Sequence, residues 1–335
     1  MKAAWYEKQG PARNVIVVGE MPDPEPGPGE VRIRVAASGV NPGDVKKRQD
    51  SFGLGMTYPR VIPHSDGAGT IDRVGEGVSA SRVGERSWCY GAQSYRPFGT
   101  AAEYVVVPSS QAVPLPDGVS FEQGACLGIP GITAHRAVHV AGPVAGRVVL
   151  VQGGAGAVGS CAVGLARVAG ARVLATVRSE GDATRAARAG AAEVVRTDGR
   201  STEEVVGRLR ELAPSGVDHV VEVAFDANIA VDAELLALGG SLAAYATRNP
   251  SPVIPVWPLA FKNIRVFFLG SDDFPAEAKA AAAEGLNAAL AAGWPGFEID
   301  RRFPLSGIAE AHEYVEGRRG SGRVVVMLSD RTRSS

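Results

Sequence analysis

Cysteine is scarce in this 335-residue chain: Cys89, Cys126 and Cys161 lie far apart and none belongs to a C-x-x-C pair. An odd, scattered set supplies neither a disulfide framework nor the four grouped ligands of a structural zinc. Charge of one sign is lacking as well. The 35 Lys plus Arg against 36 Asp plus Glu leave a formal net charge of -1, without the basic excess of a polyanion binder. Aromatics make up 6%, which disfavours a single-strand nucleic-acid platform. No apolar run reaches the roughly 18 residues of a membrane span. The start, Met1 and Lys2 followed by Ala-Ala-Trp-Tyr, carries no signal-peptide core. A G-x-S-x-G elbow is absent, so hydrolase chemistry has no anchor. What is present is a 45% hydrophobic content, enough to bury a sizeable core. The length allows one large or two ordinary domains. The expectation is a soluble, cytoplasmic globular protein with no nucleic-acid or membrane partner.

Glycine (42) and proline (22) are unevenly spread, and the unevenness sketches the organisation. To about residue 123 the chain reads as β-rich. Residues 31–37 alternate, predicting a half-buried strand with Arg32 and Arg34 on the wet face. A proline-rich extended loop at 22–29 precedes it. Short apolar runs at 68–74 and 102–107 add strands of a partly closed barrel or sandwich. From 124 the rhythm changes. Residues 147–152 form a continuous apolar run, as expected of a parallel strand buried on both faces. Further strands are expected at 171–177, 193–196, 219–223, 241–245 and 263–269, with helices at 157–169, 182–189, 202–212 and 229–238. Six strands alternating with helices make an α/β fold with a Rossmann-type, doubly wound parallel sheet. The tail offers helices at 275–292 and 306–318 and a last strand at 323–328.

The most informative segment follows the 147–152 strand. Gly154-x-Gly156-x-x-Gly159, with Gly153 before it, stands between a buried strand and a helix. One glycine permits the tight turn, one lets the backbone approach a pyrophosphate, and the third packs helix against sheet. Read alone, the pattern fits an ordinary βα turn equally well; the strand-turn-helix-strand context points to a dinucleotide. At the next strand's end stand Arg178 and Ser179, with Arg185 further on. A basic residue there welcomes the 2′-phosphate of NADPH, whereas Glu180 and Asp182 can be read as NADH-type acids. Elsewhere, Asn41 and Asp44 close a polar loop that is also a turn signature. His64 beside Asp66 admits a metal or triad reading or that of a loop histidine.

Gly39-Val-Asn-Pro42 with Asp44, Ser65-Asp66 with Ala68-Gly69, and Gly128-Ile-Pro130 with Thr133-Ala134 recur in one order with Gly153 to Gly159. Glu222 with Asn228, Gly239-Gly240, Ala311-His-Glu313 and the closing Gly-Arg-Val-Val-Val complete the set. With these motifs the chain resembles the zeta-crystallin type of zinc-independent quinone oxidoreductases, in the medium-chain dehydrogenase/reductase superfamily, over nearly its whole length. The resemblance implies a discontinuous, β-rich GroES-like catalytic domain (1–123 and 271–335) and a Rossmann dinucleotide-binding domain (124–270), with the active cleft between them. It also implies a homodimer joined through the strand at 263–269.

Asn41 and Asp44 are the candidate catalytic residues, Asn41 to orient or hydrogen-bond the acceptor and Asp44 to hold the loop and cofactor; the cofactor contacts follow by matched position. The resemblance places Lys46 near the nicotinamide and Gly153, Gly154, Ala155, Gly156, Ala157, Val158 and Gly159 around the pyrophosphate. Arg178, with Ser179 beside it, and Thr197 border the adenosine phosphate, Asn228 stands on the ribose side, Arg318 matches a family arginine near that phosphate, and Arg323 lies close to the same cleft or is an exposed strand-end arginine. Tyr245, Ala246, Thr247, Arg248, Phe268, Leu269 and Gly270 line the nicotinamide half, and Thr133 joins the cofactor contacts. Zinc relatives carry a Cys where this chain has Asn41 and a His where it has Ser65, so no metal is expected. Loss of a Lewis acid implies acceptors that delocalise incoming charge, namely quinones or other conjugated carbonyls reduced by NADPH, with NADH possible. An enoyl-thioester or alkenal reductase is the enzyme alternative, with Lys46, Lys47 and Arg48 at a basic mouth. A cofactor-binding structural or nucleic-acid protein is the non-enzyme one.

Overall fold

The computed structural model describes residues 1–317 and 322–328. In chain order the first strands are β1 (Lys2–Trp5), β2 (Val17–Glu20), β3 (Glu30–Val40), β4 (Asp66–Val74), β5 (Arg86–Cys89), β6 (Tyr104–Pro108) and β7 (Ala112–Pro114). Between and after them lie α1 (Ala12–Val15), α2 (Pro42–Gln49), α3 (Phe121–Gly124) and α4 (Ile129–His139). The parallel strands are β8 (Val148–Val151), β9 (Arg172–Val177), β10 (Glu193–Arg196), β11 (Val217–Glu222), β12 (Leu236–Ala244) and β13 (Arg265–Phe268). Their helices are α5 (Ala157–Val168), α6 (Glu180–Ala189), α7 (Thr202–Leu212), α8 (Phe225–Leu235), α9 (Val256–Phe261) and α10 (Ala276–Ala291). The chain then forms β14 (Ile299–Pro304), α11 (Ile308–Glu316) and β15 (Arg323–Met327). Two compact units result: residues to Pro130 together with the described residues from Phe297 on, and Gly131–Gly296.

In the unit built from both chain ends, the main sheet runs β14-β15-β3-β4-β5-β7, with β6 also paired to β3. β14 and β15 are parallel; the other pairings are antiparallel. β3 is central because Val31, Ile33 and Val35 point into a core shared with Ile71, Val105 and Val107. The alternation in β3 misplaces one residue. Arg34 is exposed, but Arg32 is 4% exposed. Its guanidinium is held bidentately by Asp72 at 3.0 and 2.8 Å, donates to Pro24 O at 3.1 Å, and lies over Tyr104. A paired and hydrogen-bonded charge is tolerated where a bare one is not.

The Gly131–Gly296 unit holds a six-stranded parallel sheet among the described residues, in the order β10-β9-β8-β11-β12-β13. Counted in sequence along the sheet this is 3-2-1-4-5-6, the doubly wound order whose switch point lies between β8 and β11. Leu150, Leu174, Val220 and Leu242 bury their side chains with Phe225 and Ile229 of α8. The segment 271–296, expected with the tail, belongs to this unit. Leu286 fills the space beside Gly131 and Trp294 that beside Gly164, so α10 packs where glycines leave room. The division falls at 130/131 and 296/297 rather than at 123/124 and 270/271.

Candidate active site

β8 delivers the chain into the glycine turn, where Gly153 has φ +69°, a conformation side chains other than glycine rarely adopt. Gly153 N donates to Thr176 Oγ1 at 3.2 Å and Gly154 N to Thr176 O at 2.9 Å, which ties the turn to β9. A Cβ on Gly159 would overlap Gly153 O, and one on Gly154 would meet Ala175 Cβ at 2.7 Å. The helix therefore starts close against the turn. Bonding in α5 begins with Ser160 N donating to Gly156 O at 2.8 Å. Among the described residues, the N–H groups of Ala157, Val158 and Gly159 have no acceptor, and glycine at 156 adds no side chain beside them. Three open donors at the positive end of a twelve-residue helix fit a pyrophosphate.

Beneath the turn lies a polar group of which the sequence motifs include only Glu222 and Asn228. Thr176 Oγ1 donates to Gln152 Oε1 at 2.5 Å, and Gln152 Nε2 donates to Asp232 Oδ1 at 2.8 Å. Asp232 and Glu222 are fully buried. Burial pushes both carboxyls up, and for Asp232 the charge of Glu222 pushes further. Glu222 accepts Ala224 N and, at 3.1 Å on each oxygen, Asn228 Nδ2. Asn228, expected on the ribose, thus has its amide nitrogen committed to Glu222.

The other expected cofactor contacts gather at the carboxyl edge of the sheet. Arg178 and Ser179 follow β9, Thr197 follows β10, Tyr245 to Arg248 follow β12, and Phe268 to Gly270 end β13. Tyr245 N donates to Glu222 O and Leu269 N to Ala244 O, so both segments continue their strands' pairing. Ala246 O accepts Phe225 N, and Asp226 accepts Thr247 Oγ1 and Arg248 N at 3.1 and 3.0 Å. Phe268 stands edge-on to Phe225 with ring centroids 5.1 Å apart. Thr133 is buried in α4. Arg318 lies outside the described residues.

In the other unit, β3 ends at Asn41, which caps α2 with extended backbone and hands over to Pro42. Asn41 N donates to Asp44 Oδ2 at 2.7 Å. Asn41 Nδ2 donates to Asp66 Oδ2 at 2.7 Å, while Asn41 Oδ1 accepts from Arg323 at 2.8 Å. A carboxylate on one side and a guanidinium on the other admit one amide orientation. Asp66 also accepts Ile129 N at 2.9 Å. Asp44 is buried, and burial together with the nearby Asp66 pushes its carboxyl up to about 7. Arg323, expected close to the cofactor cleft or exposed at its strand end, is 4% exposed and donates to Asn41 within its own unit, which rules out the exposed reading. Lys46 is exposed, its ammonium 5.7 Å from the Phe52 ring centroid. Arg48 is fully buried on Gly10 O and Glu316, which removes it from any basic mouth.

His64 belongs to neither a triad nor a metal set. Arg48 Nε donates to His312 Nδ1 at 3.4 Å, which leaves the His312 proton on Nε2. That proton is given to His64 Nε2 at 3.0 Å, so His64 carries its own on Nδ1 and donates to Ser38 Oγ at 2.8 Å. Ser38 passes its hydrogen to Thr100 Oγ1 at 2.7 Å, and Thr100 donates to Asp66 O at 2.7 Å. Both imidazoles are neutral: burial lowers His312 well below its ordinary range and His64 to about 3. Ser38 and Thr100 had no local sequence signal, and His312 only its place in the Ala311-His-Glu313 motif, because their partners are 26 to 264 residues away. Among the described residues no three His, Cys, Asp or Glu side chains are grouped as a metal ion requires. All three cysteines are buried. The donor set does not fit a zinc ion, and no step below runs through one.

These features define the class. Residues 27–117 match the alcohol dehydrogenase GroES-like domain and residues 157–283 the zinc-binding dehydrogenase family. The chain belongs to the quinone oxidoreductase family of medium-chain dehydrogenases/reductases and is an oxidoreductase enzyme. It is 33% identical to mouse quinone oxidoreductase over 301 residues, 89% of each chain. A mycobacterial quinone oxidoreductase superposes with a TM-score of 0.86 at 28% identity, covering 98% of this chain and 100% of that one. A mycobacterial structure complexed with NADPH gives a TM-score of 0.83 at 28% identity, with the same coverage. Among the described residues no helix is long and apolar enough to cross a membrane.

Proposed function

We infer that this enzyme is a reductase that takes NADPH, with NADH as a possible second coenzyme, and acts on quinones or other conjugated carbonyl acceptors without a metal. The observation that carries the reading is the open trio of N–H groups at Ala157, Val158 and Gly159 behind a turn only glycine can make. The relative solved with NADPH supports the choice of dinucleotide. When bound, the dinucleotide supplies the hydride. The α5 terminus holds its pyrophosphate, Arg178 receives the 2′-phosphate, and residues 245–248 and 268–270 border the nicotinamide half. On the acceptor side, conjugation spreads the incoming charge, so hydrogen-bond donors suffice. Asn41 orients the acceptor: Asp66 holds one Nδ2 hydrogen and leaves the other to donate. Asp44 anchors the loop at Asn41 N, and water supplies the proton that completes the two-electron reduction.

The reading includes a homodimer joined through the strand at 263–269, supported by the exposure of Phe268, Phe261 and Trp257 at or near the β13 edge of the sheet. Burial of Arg48 leaves the enoyl-thioester alternative with Lys46 and Lys47 alone. The test is NADPH oxidation with 1,4-benzoquinone, a medium-chain alkenal and crotonyl-coenzyme A. Quinone reduction is expected to be fastest; fastest turnover of crotonyl-coenzyme A hands the reading to the thioester alternative, and background rates throughout end it. Full turnover of both Asn41→Ala and Asp44→Ala would move the acceptor site elsewhere.

A further inference from the structure

β9 ends at Val177, and the residues that follow form the rim where a doubly wound sheet meets the adenosine ribose. Five side chains there can donate to a 2′-phosphate: Arg178, Ser179, Arg185, Arg196 and Thr197. Four are already engaged. Ser179 Oγ donates to Asp182 Oδ2 at 2.8 Å and accepts Asp182 N at 3.1 Å. Arg185 pairs with Asp182 Oδ1. Arg196 grips Asp198 at 3.0 and 2.7 Å and reaches Glu180 at 2.7 Å. Thr197 Oγ1 donates to Val177 O at 3.1 Å. Of the five, Arg178 is the one without such a partner among the described residues. Charge is also nearly offset: Arg178, Arg185, Arg196 and Arg200, the last near enough to Asp198 to lower its carboxyl, stand against Glu180, Asp182 and Asp198.

Asp182 is the residue that ties up most. Its carboxylate takes the Ser179 hydroxyl with one oxygen and the Arg185 guanidinium with the other. It also places a negative charge where an incoming phosphate dianion would repel it. Without that charge, Ser179 keeps its role as cap, because the capping bond comes from the backbone N of residue 182. Arg185 loses its anion and becomes a second guanidinium for the phosphate, two residues after the first turn of α6 in which acids otherwise favour the helix dipole.

We propose that Asp182 sets coenzyme selectivity by engaging Ser179 and Arg185 together, so that this chain binds 2′-phosphorylated and unphosphorylated dinucleotides with similar affinity. The proposal rests on the dinucleotide reading given above. It makes Arg185 a latent phosphate ligand, active only when Asp182 is neutral.

The test is isothermal titration of the full chain with 2′,5′-ADP and with 5′-ADP, repeated with NADPH and NADH. The wild-type preference for the 2′-phosphate is expected to stay within about tenfold. Asp182→Asn is expected to raise that preference by about tenfold or more, through tighter binding of 2′,5′-ADP. Asp182→Ala serves as the second variant and is expected to do the same. Arg185→Gln should lower 2′,5′-ADP affinity far more in the Asp182→Asn background than alone. A wild-type preference above about 100-fold, or one that neither Asp182 variant changes, overturns the proposal while leaving dinucleotide binding intact. If neither NADPH nor NADH binds the wild type, the dinucleotide reading falls and the proposal with it.

Discussion

Replacing His64 by asparagine tests whether the directed chain from Arg48 to Asp66 is built as the geometry requires. His64 has φ +76°, and asparagine tolerates that region better than most residues. The replacement removes both ring contacts. Ser38 Oγ loses its donor and the His312 Nε2 proton loses its acceptor, both in a fully buried setting. Each orphaned group costs about 1–3 kcal/mol, so a loss of roughly 2–5 kcal/mol is expected at pH 8. The pH dependence is the sharper part. Burial moves His64 from 6.5 down to about 3, so below 6.5 the unfolded chain takes up a proton that the folded one refuses. Stability is therefore complete above 6.5 and is lost as pH falls toward the folded value, by about 1.4 kcal/mol per unit. Between pH 6.5 and 5 this amounts to about 2 kcal/mol, which the His64→Asn variant does not lose. Removing His64 also relieves His312, whose lowering owes part to it, and narrows the gap further. Urea unfolding followed through Trp88, fully buried in the same unit, measures the difference at pH 8, 6.5 and 5. A penalty for His64→Asn that stays constant or grows toward pH 5 would refute the neutral, one-directional chain.

Three more outcomes are expected. Gly159→Ala pushes a methyl group into Gly153 O and should weaken NADPH binding by about tenfold or more, as read by nicotinamide fluorescence. Asp44 is raised from 3.8 to about 7, so its proton stabilises the fold below 3.8 and that contribution fades as pH rises through 7. Asp44→Asn keeps an acceptor for Asn41 N, and its stability relative to wild type should improve by about 1.4 kcal/mol per unit between pH 4 and 7 in chemical denaturation. Dialysis against 1,10-phenanthroline should leave quinone turnover unchanged and the protein without stoichiometric zinc by elemental analysis; loss of turnover restored by zinc would contradict the donor-set argument.

What the sequence made legible is what short-range rules determine. The β8 run is apolar on both faces because the sheet covers it twice, and the glycines at 153, 154 and 159 occupy positions where a Cβ has no room. Ser179 and Ser201 cap α6 and α7 and so mark where those helices begin, although α6 starts two residues earlier than periodicity alone indicates. What escaped depends on partners far along the chain. Alternation alone assigned Arg32 to solvent, but Asp72 in the neighbouring strand makes an inward guanidinium tolerable. Arg323 looks like a strand-end cation until Asn41, 282 residues distant, is seen to accept from it. The Ala-rich α10 has small side chains on every side, so its own sequence does not say which unit it joins; Gly131 and Gly164 decide by leaving space for Leu286 and Trp294. His64 and His312 are two of only five histidines, yet nothing local pairs residues separated by 248 positions.

The two units fix their candidate contact groups by the same physical device. At the glycine turn, backbone donors face outward while Thr176, Gln152, Asp232 and Glu222 form a buried polar support behind them. At Asn41, a helix cap faces forward while Asp66 and Arg323 clamp the amide from behind, and the Thr100 hydroxyl in turn holds the Asp66 carbonyl. Buried polar groups of this kind are weak sources of stability, since their desolvation offsets most of what their hydrogen bonds contribute. Apolar residues of equal volume would fill the same space at less risk. Their presence in both places is explained by orientation: a carboxylate and a guanidinium distinguish the two ends of an amide, as an apolar wall cannot. It follows that trimming Arg323 to methionine should disorder Asn41 more than it unfolds the chain, and quinone turnover should fall further than the urea midpoint does.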